Sequence, residues 1–146
     1  MTFEIALRAP VTVALSARAD GLPRRVSPEA ERRFYGTAAL VAIGSDRTVR
    51  VVVLEGAGPS VSAGADLNWM HSMITASEDK NRVDALALAG LMRTLDDLPH
   101  PTIARVHGAA FGGGVGLIAC CDIAIGSSEA KFGLTESRLG LLPAVI

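Results

Sequence analysis

The stretch HGAAFGGGVGLIACCD, residues 107–122, decides how this sequence is read. A short apolar run, TIARV (102–106), leads into Gly112, Gly113 and Gly114, and an apolar segment follows without a break. That order predicts a strand, a tight turn and the N-terminus of a buried helix. A turn of this kind points free backbone N–H groups at whatever approaches it. Consecutive glycines remove the side chains that would hold a ligand away. The geometry suits a developing negative oxygen. Glu136, twenty residues beyond Gly116, is a candidate acid or base.

On the N-terminal side, TFEIALR (2–8) and VTVALSA (11–17) flank Pro10 and predict a hairpin of short strands. Residues 18–26 read as a loop. Ser27-Pro28-Glu29 combines a capping hydroxyl, a first-turn proline and an acid, so a helix is expected from there to Ile43. Gly44-Ser45-Asp46 would end it. VRVVVLE (49–55) is a continuous β-branched run, which predicts a strand buried on both faces. The loop 56–62 then leads into SAGADLNWM (62–70), where Ala63-Gly64-Ala65-Asp66 forms another small-residue turn opening a helix. A further helix is expected from Ser77, with Val83, Leu86, Gly90, Leu91, Leu95 and Leu98 on one stripe. Pro99 and Pro101 close it. Strands are expected at 102–106 and 122–126, and an extended piece at 131–134. Residues 135–146 show no finished element. The pattern β-β-α-β-α-β-α-β argues for an α/β layered fold with a mostly parallel sheet.

A chain of 146 residues is long enough for a single domain with a real core, and 49% hydrophobic content excludes disorder as its main state. Aromatics are only 4%, so Ala, Val, Leu and Ile must build that core. A net charge of −1 gives no reason to expect a nucleic-acid partner. Arg18, Arg24, Arg25, Arg32 and Arg33 crowd the first quarter; a solvated face is favoured over a phosphate-binding patch. Cys120 and Cys121 are adjacent in an apolar run, which disfavours a disulfide and offers no metal spacing. Buried thiols in a reducing compartment are the expectation. The N-terminus MTFEIALRAP lacks the run of a signal peptide, and no stretch approaches a membrane span. A cytoplasmic protein without a membrane partner is expected. The apolar tail PAVI suggests a domain that continues past Ile146.

The familiar phosphate-binding patterns fail. From Gly112, G-x-G-x-x-G would need glycine where Leu117 stands, and a P-loop would need Lys where Gly114 stands. No serine occupies a nucleophile elbow. His71, His100 and His107 lack metal-ligand spacing, so no metal site is expected. What remains is the pair of small-residue turns, each following a strand. If the strands are neighbours, the Ala65 and Gly113 N–H groups would converge on one oxygen, the usual means of stabilising an enolate or tetrahedral oxyanion. Tight packing alone would also explain either turn. The two together favour the oxyanion reading.

SAGADLNWM and HGAAFGGGVGLIACCDIAIGSSEAKFGLTESRLGLLP resemble the enoyl-CoA hydratase/isomerase (crotonase) superfamily, clearly so from Val49 to Ile146. The resemblance implies a crotonase-like (ClpP/crotonase) spiral of β-β-α units, here the N-terminal part of a single acyl-CoA-binding domain over residues 1–146. The C-terminal trimerisation helices would be absent. It implies an acyl-CoA thioester substrate, and a homotrimer or dimer of trimers at full length. Ala65 and Gly113 match the oxyanion-hole positions, and Glu136 a catalytic one. Ala63 and Leu67 fall where the family's backbone contacts coenzyme A. Gly64, Asp66, Ala109, Gly112 and Gly116 belong to the same implied substrate site. No cofactor is implied beyond coenzyme A, which is part of the substrate.

The sequence also departs from the family. Hydratases of this kind carry a pair of glutamates, and the first falls at Gly116 here. Glycine inside a helix costs about 1 kcal/mol relative to alanine, so its presence suggests that room is wanted. The detail resembles the bacterial methylglutaconyl-CoA and isohexenylglutaconyl-CoA hydratases, a subgroup that also lacks that glutamate. Double-bond isomerisation by Glu136 alone is the enzymatic alternative. A catalytically inactive fragment that binds coenzyme A or associates with complete subunits is the alternative of another class. The region 16–36 lacks the family's usual asparagine-alanine-leucine signature.

Overall fold

The computed structural model describes residues 2–7, 11–17, 35–56, 58–64 and 67–143. β1 (Thr2–Leu7) and β2 (Val11–Ala17) form the expected hairpin, with Phe3 opposite Leu15. The helix start expected at Ser27 lies outside the described residues, as do the clustered arginines. α1 (Tyr35–Ser45) buries Leu40 and Ile43, one turn apart on one face. It ends where expected, because the Asp46 N–H turns back to the Ile43 carbonyl at 3.0 Å. The Asp46 carboxylate then accepts from the Thr48 Oγ1 and N–H groups at 2.7 and 2.9 Å. These bonds hold its carboxyl below the usual Asp range.

β3 (Val52–Gly56) begins later than the β-branched run suggests. The Val49 N–H donates to the Asp46 carbonyl at 3.1 Å, so that residue belongs to the turn rather than to a ladder. β4 (Thr102–Val106) runs parallel to β3, and β6 (Ile123–Gly126) parallel to β4. The sheet order is β1-β2-β3-β4-β6. Its β1-β2 and β2-β3 pairings are antiparallel, so the sheet is mixed rather than mostly parallel; the N-terminal hairpin causes this.

Val52, Leu54, Ala104 and Val106 are buried on the inner face, with α1, α3 and α4 contributing to the same core. The other face of β3 is only half covered, correcting the expectation of burial on both sides. It carries Glu55, which accepts from Arg105 Nη1 at 2.8 Å. A continuous apolar run therefore marks a central strand here without marking two buried faces.

α2 (Leu67–Ile74) follows the first small-residue turn. α3 (Glu78–Asp96) starts where the sequence predicts, with Ser77 Oγ accepting from the Lys80 N–H at 3.3 Å. Only its second half is core: Leu91, Met92 and Leu95 are buried, whereas Val83 and Leu86 are 66% and 61% exposed. The helical stripe is real, but it outruns the surface it packs on.

Between β4 and the glycine turn the structure holds an element absent from the sequence reading. Gly108 adopts a φ of 59°, and a Cβ there would run into the Pro59 carbonyl oxygen. This bend directs the chain into β5 (Ala109–Phe111), which pairs in parallel with β7 (Lys131–Gly133) as a second, two-stranded sheet. α4 (Gly113–Ala119) leaves directly from β5. Leu117 joins the core of α1, β3 and α3, and Ile118 joins a cluster with Val61, Ala104, Val106 and Ala110.

The C-terminal end of α4 is tied to the start of β4. Asp122 accepts from the Thr102 N–H and Oγ1, each at 2.7 Å, and its own N–H donates to Thr102 Oγ1 at 2.8 Å. Thr102 is buried, so these bonds satisfy a polar group that would otherwise be costly there. They hold the Asp122 carboxyl below its ordinary value. Such a group stabilises the fold above its unfolded pKa of about 3.9, and that stability disappears as pH falls through the lower folded value. Asp122→Asn is therefore expected to lower the urea midpoint near neutral pH, by an amount that shrinks as pH falls through the acid range. A gap independent of pH would refute the assignment.

Candidate functional site

Ser62 brings the two small-residue turns together. It forms a parallel bridge with Ala110. Its N–H donates to the Ala109 carbonyl at 3.0 Å, and its carbonyl accepts from the Phe111 N–H at 3.0 Å. The condition set by the sequence is thus met: β3 and β4 are neighbours, and the turns that follow them lie side by side. Gly64 has a φ of 103° and Gly112 a φ of 54°, a region that suits glycine in both turns. A Cβ built on Gly112 would stand 3.9 Å from the Gly64 Cα and 3.0 Å from Glu136 Oε1. The missing side chain at Gly112 is the space into which the Glu136 carboxylate fits.

Glu136 sits on a short 3-10 turn, Thr135–Leu139, that follows β7. No sequence pattern over residues 135–146 points to this element. The Gly112 N–H donates to the Gly133 carbonyl at 3.0 Å, so the segment leading to Glu136 is fastened to the α4 entrance. Glu136 is half-buried, and its Oε2 is buried with no hydrogen-bond partner among the described residues. A buried carboxylate oxygen without a partner costs free energy, and a ligand proton or water would satisfy it. Gly113 opens the helix beside it. Among the described residues, a Cβ on Gly113 would meet nothing within 4 Å. First-turn N–H groups have no i−4 acceptor within their own helix, and Gly113 is the first residue of α4.

The remaining candidates are placed as follows. Ala63 is exposed and Gly64 half-buried on the first turn; Ala109 is half-buried on β5. Gly116 is buried in α4, one turn beyond Gly112 and Gly113 and on their side of the helix. Leu67 is the first residue of α2. Ala65 and Asp66 lie outside the described residues. His107 Nε2 contacts the Gly58 carbonyl at 2.8 Å and His100 Nε2 the Ile43 carbonyl at 3.0 Å, which are bracing contacts. Cys120 and Cys121 are free and half-buried. Burial, followed by the neighbouring Cys120, pushes the Cys121 thiol up to about 12, and burial also raises Cys120. Neither is a thiolate nucleophile near neutral pH. Ser62 was within the quoted motif, yet its role could not be read there. The hint there was a hydroxyl just before the Ala63-Gly64-Ala65 run of small apolar residues.

The described elements define a mixed-sheet α/β fold in which two glycine-bearing turns and a buried carboxylate meet at one edge. The family model for enoyl-CoA hydratase/isomerase matches residues 11–146. The chain belongs to that family. An enoyl-CoA hydratase from Shewanella pealeana superposes with a TM-score of 0.75 at 44% identity, over 78% of this chain and 43% of that one. The mitochondrial methylglutaconyl-CoA hydratase of Homo sapiens is 37% identical over 106 residues, 72% of this chain and 30% of its own length. The mitochondrial Delta(3,5)-Delta(2,4)-dienoyl-CoA isomerase of Dictyostelium discoideum is 34% identical over 108 residues, 68% of this chain and 37% of its own. The chain spans less than half the length of each of these relatives. The crotonase-type fold expected from the motifs is the one observed. Among the described residues, no helix is long and apolar enough to cross a membrane.

Proposed function

We propose that this chain binds an acyl-CoA thioester and carries the polarising and proton-transfer groups of an enoyl-CoA hydratase. The observation that carries this is the convergence of Gly64, Gly112 and the unpartnered Glu136 carboxylate at the open entrance of α4. The Gly113 N–H, with that of Ala65, would hold the thioester carbonyl oxygen. Polarising that carbonyl makes the β-carbon electrophilic and stabilises the enolate formed when water adds. Glu136 would then exchange a proton with water or with the α-carbon. Ala63, Gly64, Asp66, Leu67, Ala109 and Gly112 would line the substrate path. The reaction moves water and a proton only, so coenzyme A enters as part of the substrate.

The substrate we favour is a methylglutaconyl-type thioester, with its distal carboxylate in the room left by Gly116. The human relative's name supports this choice, as does the glycine at the position where a pair of glutamates would put the first. Gly116→Glu restores a carboxylate one helical turn beyond Gly113. It is expected to raise the ratio of simple-enoyl to glutaconyl-type turnover by at least about tenfold, a fraction of what a fully positioned acid or base contributes. An unchanged ratio would end the specificity proposal.

Isomerisation by Glu136 alone is the second reading, favoured by the glycine at position 116, where a pair of glutamates would put the first, and by the Dictyostelium relative. Incubation with 2-enoyl and 3-enoyl thioesters separates the two. Water uptake marks hydration, and bond migration without water uptake marks isomerisation. Assembly at full length into a homotrimer or dimer of trimers, in the cytoplasm, belongs to the same proposal. The exposed Ile123, Ile125, Phe132 and Leu142 support a surface covered by more protein. Sedimentation of the protein at the full length of its relatives tests it, and a monomer at all concentrations would remove it.

A further inference from the structure

We infer that Ser62 is a positioning residue that sets the distance between the two turns flanking the thioester site, an inference that rests on the site proposed above. Its hydroxyl is placed to serve both turns. Oγ accepts from the Gly64 N–H at 3.2 Å and donates to the Phe111 carbonyl at 3.3 Å. Gly64 immediately precedes Ala65, and Phe111 immediately precedes the Gly112 cap of α4. A single hydroxyl therefore bridges the backbone one residue before Ala65 and two residues before Gly113.

The contact is also sterically closed. Ser62 is 3% exposed. A Cβ on Gly114 would overlap the Ser62 Cβ and lie 2.7 Å from its Oγ. Gly114 thus serves to admit Ser62 rather than a ligand, while Gly113 faces open space. The three glycines divide their tasks: Gly112 makes room for Glu136, Gly113 offers a free approach, and Gly114 lets the first turn close onto the second.

A hydroxyl so placed holds the first turn against the second by more than the bridge to Ala110. Removing it leaves the Gly64 N–H without that acceptor, and the turn that presents the following amides is free to drift. Because carbonyl polarisation depends on donor placement, even a small drift weakens it. The effect should reach the bound carbonyl more than the affinity for coenzyme A.

The test uses a saturated acyl-CoA thioester, which binds without turnover and carries an isotope-labelled carbonyl. Bound to the unmodified chain, its infrared carbonyl stretch should move to lower frequency. If it does not, the oxyanion-site proposal itself fails and the role of Ser62 falls with it. If it does, Ser62→Ala should bind the thioester within about threefold of the unmodified chain, lose a measurable part of the downshift, and show kcat about threefold to tenfold lower at unchanged KM. A folded Ser62→Ala chain with the full downshift and full kcat overturns the inference, whatever its loss in unfolding midpoint. Should Ser62→Ala not fold, Ser62→Cys keeps most of the volume and replaces a strong acceptor by a weak one. It is read in the same way: a reduced downshift supports the positioning role, and a full one overturns it.

Discussion

Glu136→Gln is expected to lower turnover of an enoyl thioester by about 10²- to 10⁴-fold, the range for losing a positioned general acid or base. The substitution keeps the size of the side chain that fills the space beside Gly112, where a Cβ would come within 3.0 Å of Oε1. It removes the ability to take up and return a proton. The thioester should still bind, because the polarising N–H groups belong to other segments. A steady-state assay beside a binding titration checks this. A Gln variant with nearly full turnover would show that the buried carboxylate is structural, and hydration would then need another base. Loss of binding together with turnover would mean that Glu136 shapes the site rather than moves protons within it.

Leu117→Ala is expected to cost about 2–5 kcal/mol of folding stability, the range for truncating a buried leucine whose cavity collapses incompletely. Leu117 is 2% exposed and belongs to the core built from Leu40, Ile43, Val52, Leu54 and Leu95. It packs α4, the helix that begins at Gly113, against that core, while Ile118 packs the same helix into a second cluster. A domain of ordinary stability has about 5–15 kcal/mol to lose, so the variant should unfold at a clearly lower urea concentration. A change under about 1 kcal/mol would mean that α4 is held by its ends, through Ser62 and the Thr102–Asp122 bonds, rather than by its buried face.

The site was more legible in the sequence than the route of the chain into it. Three glycines after an apolar segment mark a tight turn into a helix start, and a second small-residue turn lies beside it. Both readings rest on local backbone requirements, which a sequence states directly. The crotonase-type fold followed from those motifs and their spacing. β5 was not legible, because three residues in a second sheet carry no periodicity, and the bend at Gly108 depends on how closely Pro59 approaches. The exposure of Val83 and Leu86 was not legible either. A helical stripe shows which side of α3 is apolar but not how far the neighbouring core extends along it. Ser62 escaped notice for a related reason. A hydroxyl that joins residues 49 positions apart, as Ser62 joins Phe111, leaves no local pattern.

A crystal structure of the chain with a saturated acyl-CoA thioester tests the central claim most directly. The account predicts the thioester carbonyl oxygen within about 3 Å of the Gly113 and Ala65 nitrogens, with the α- and β-carbons beside Glu136. A thioester bound elsewhere, or one whose carbonyl turns away from the α4 entrance while Glu136 faces no part of the acyl chain, would contradict it.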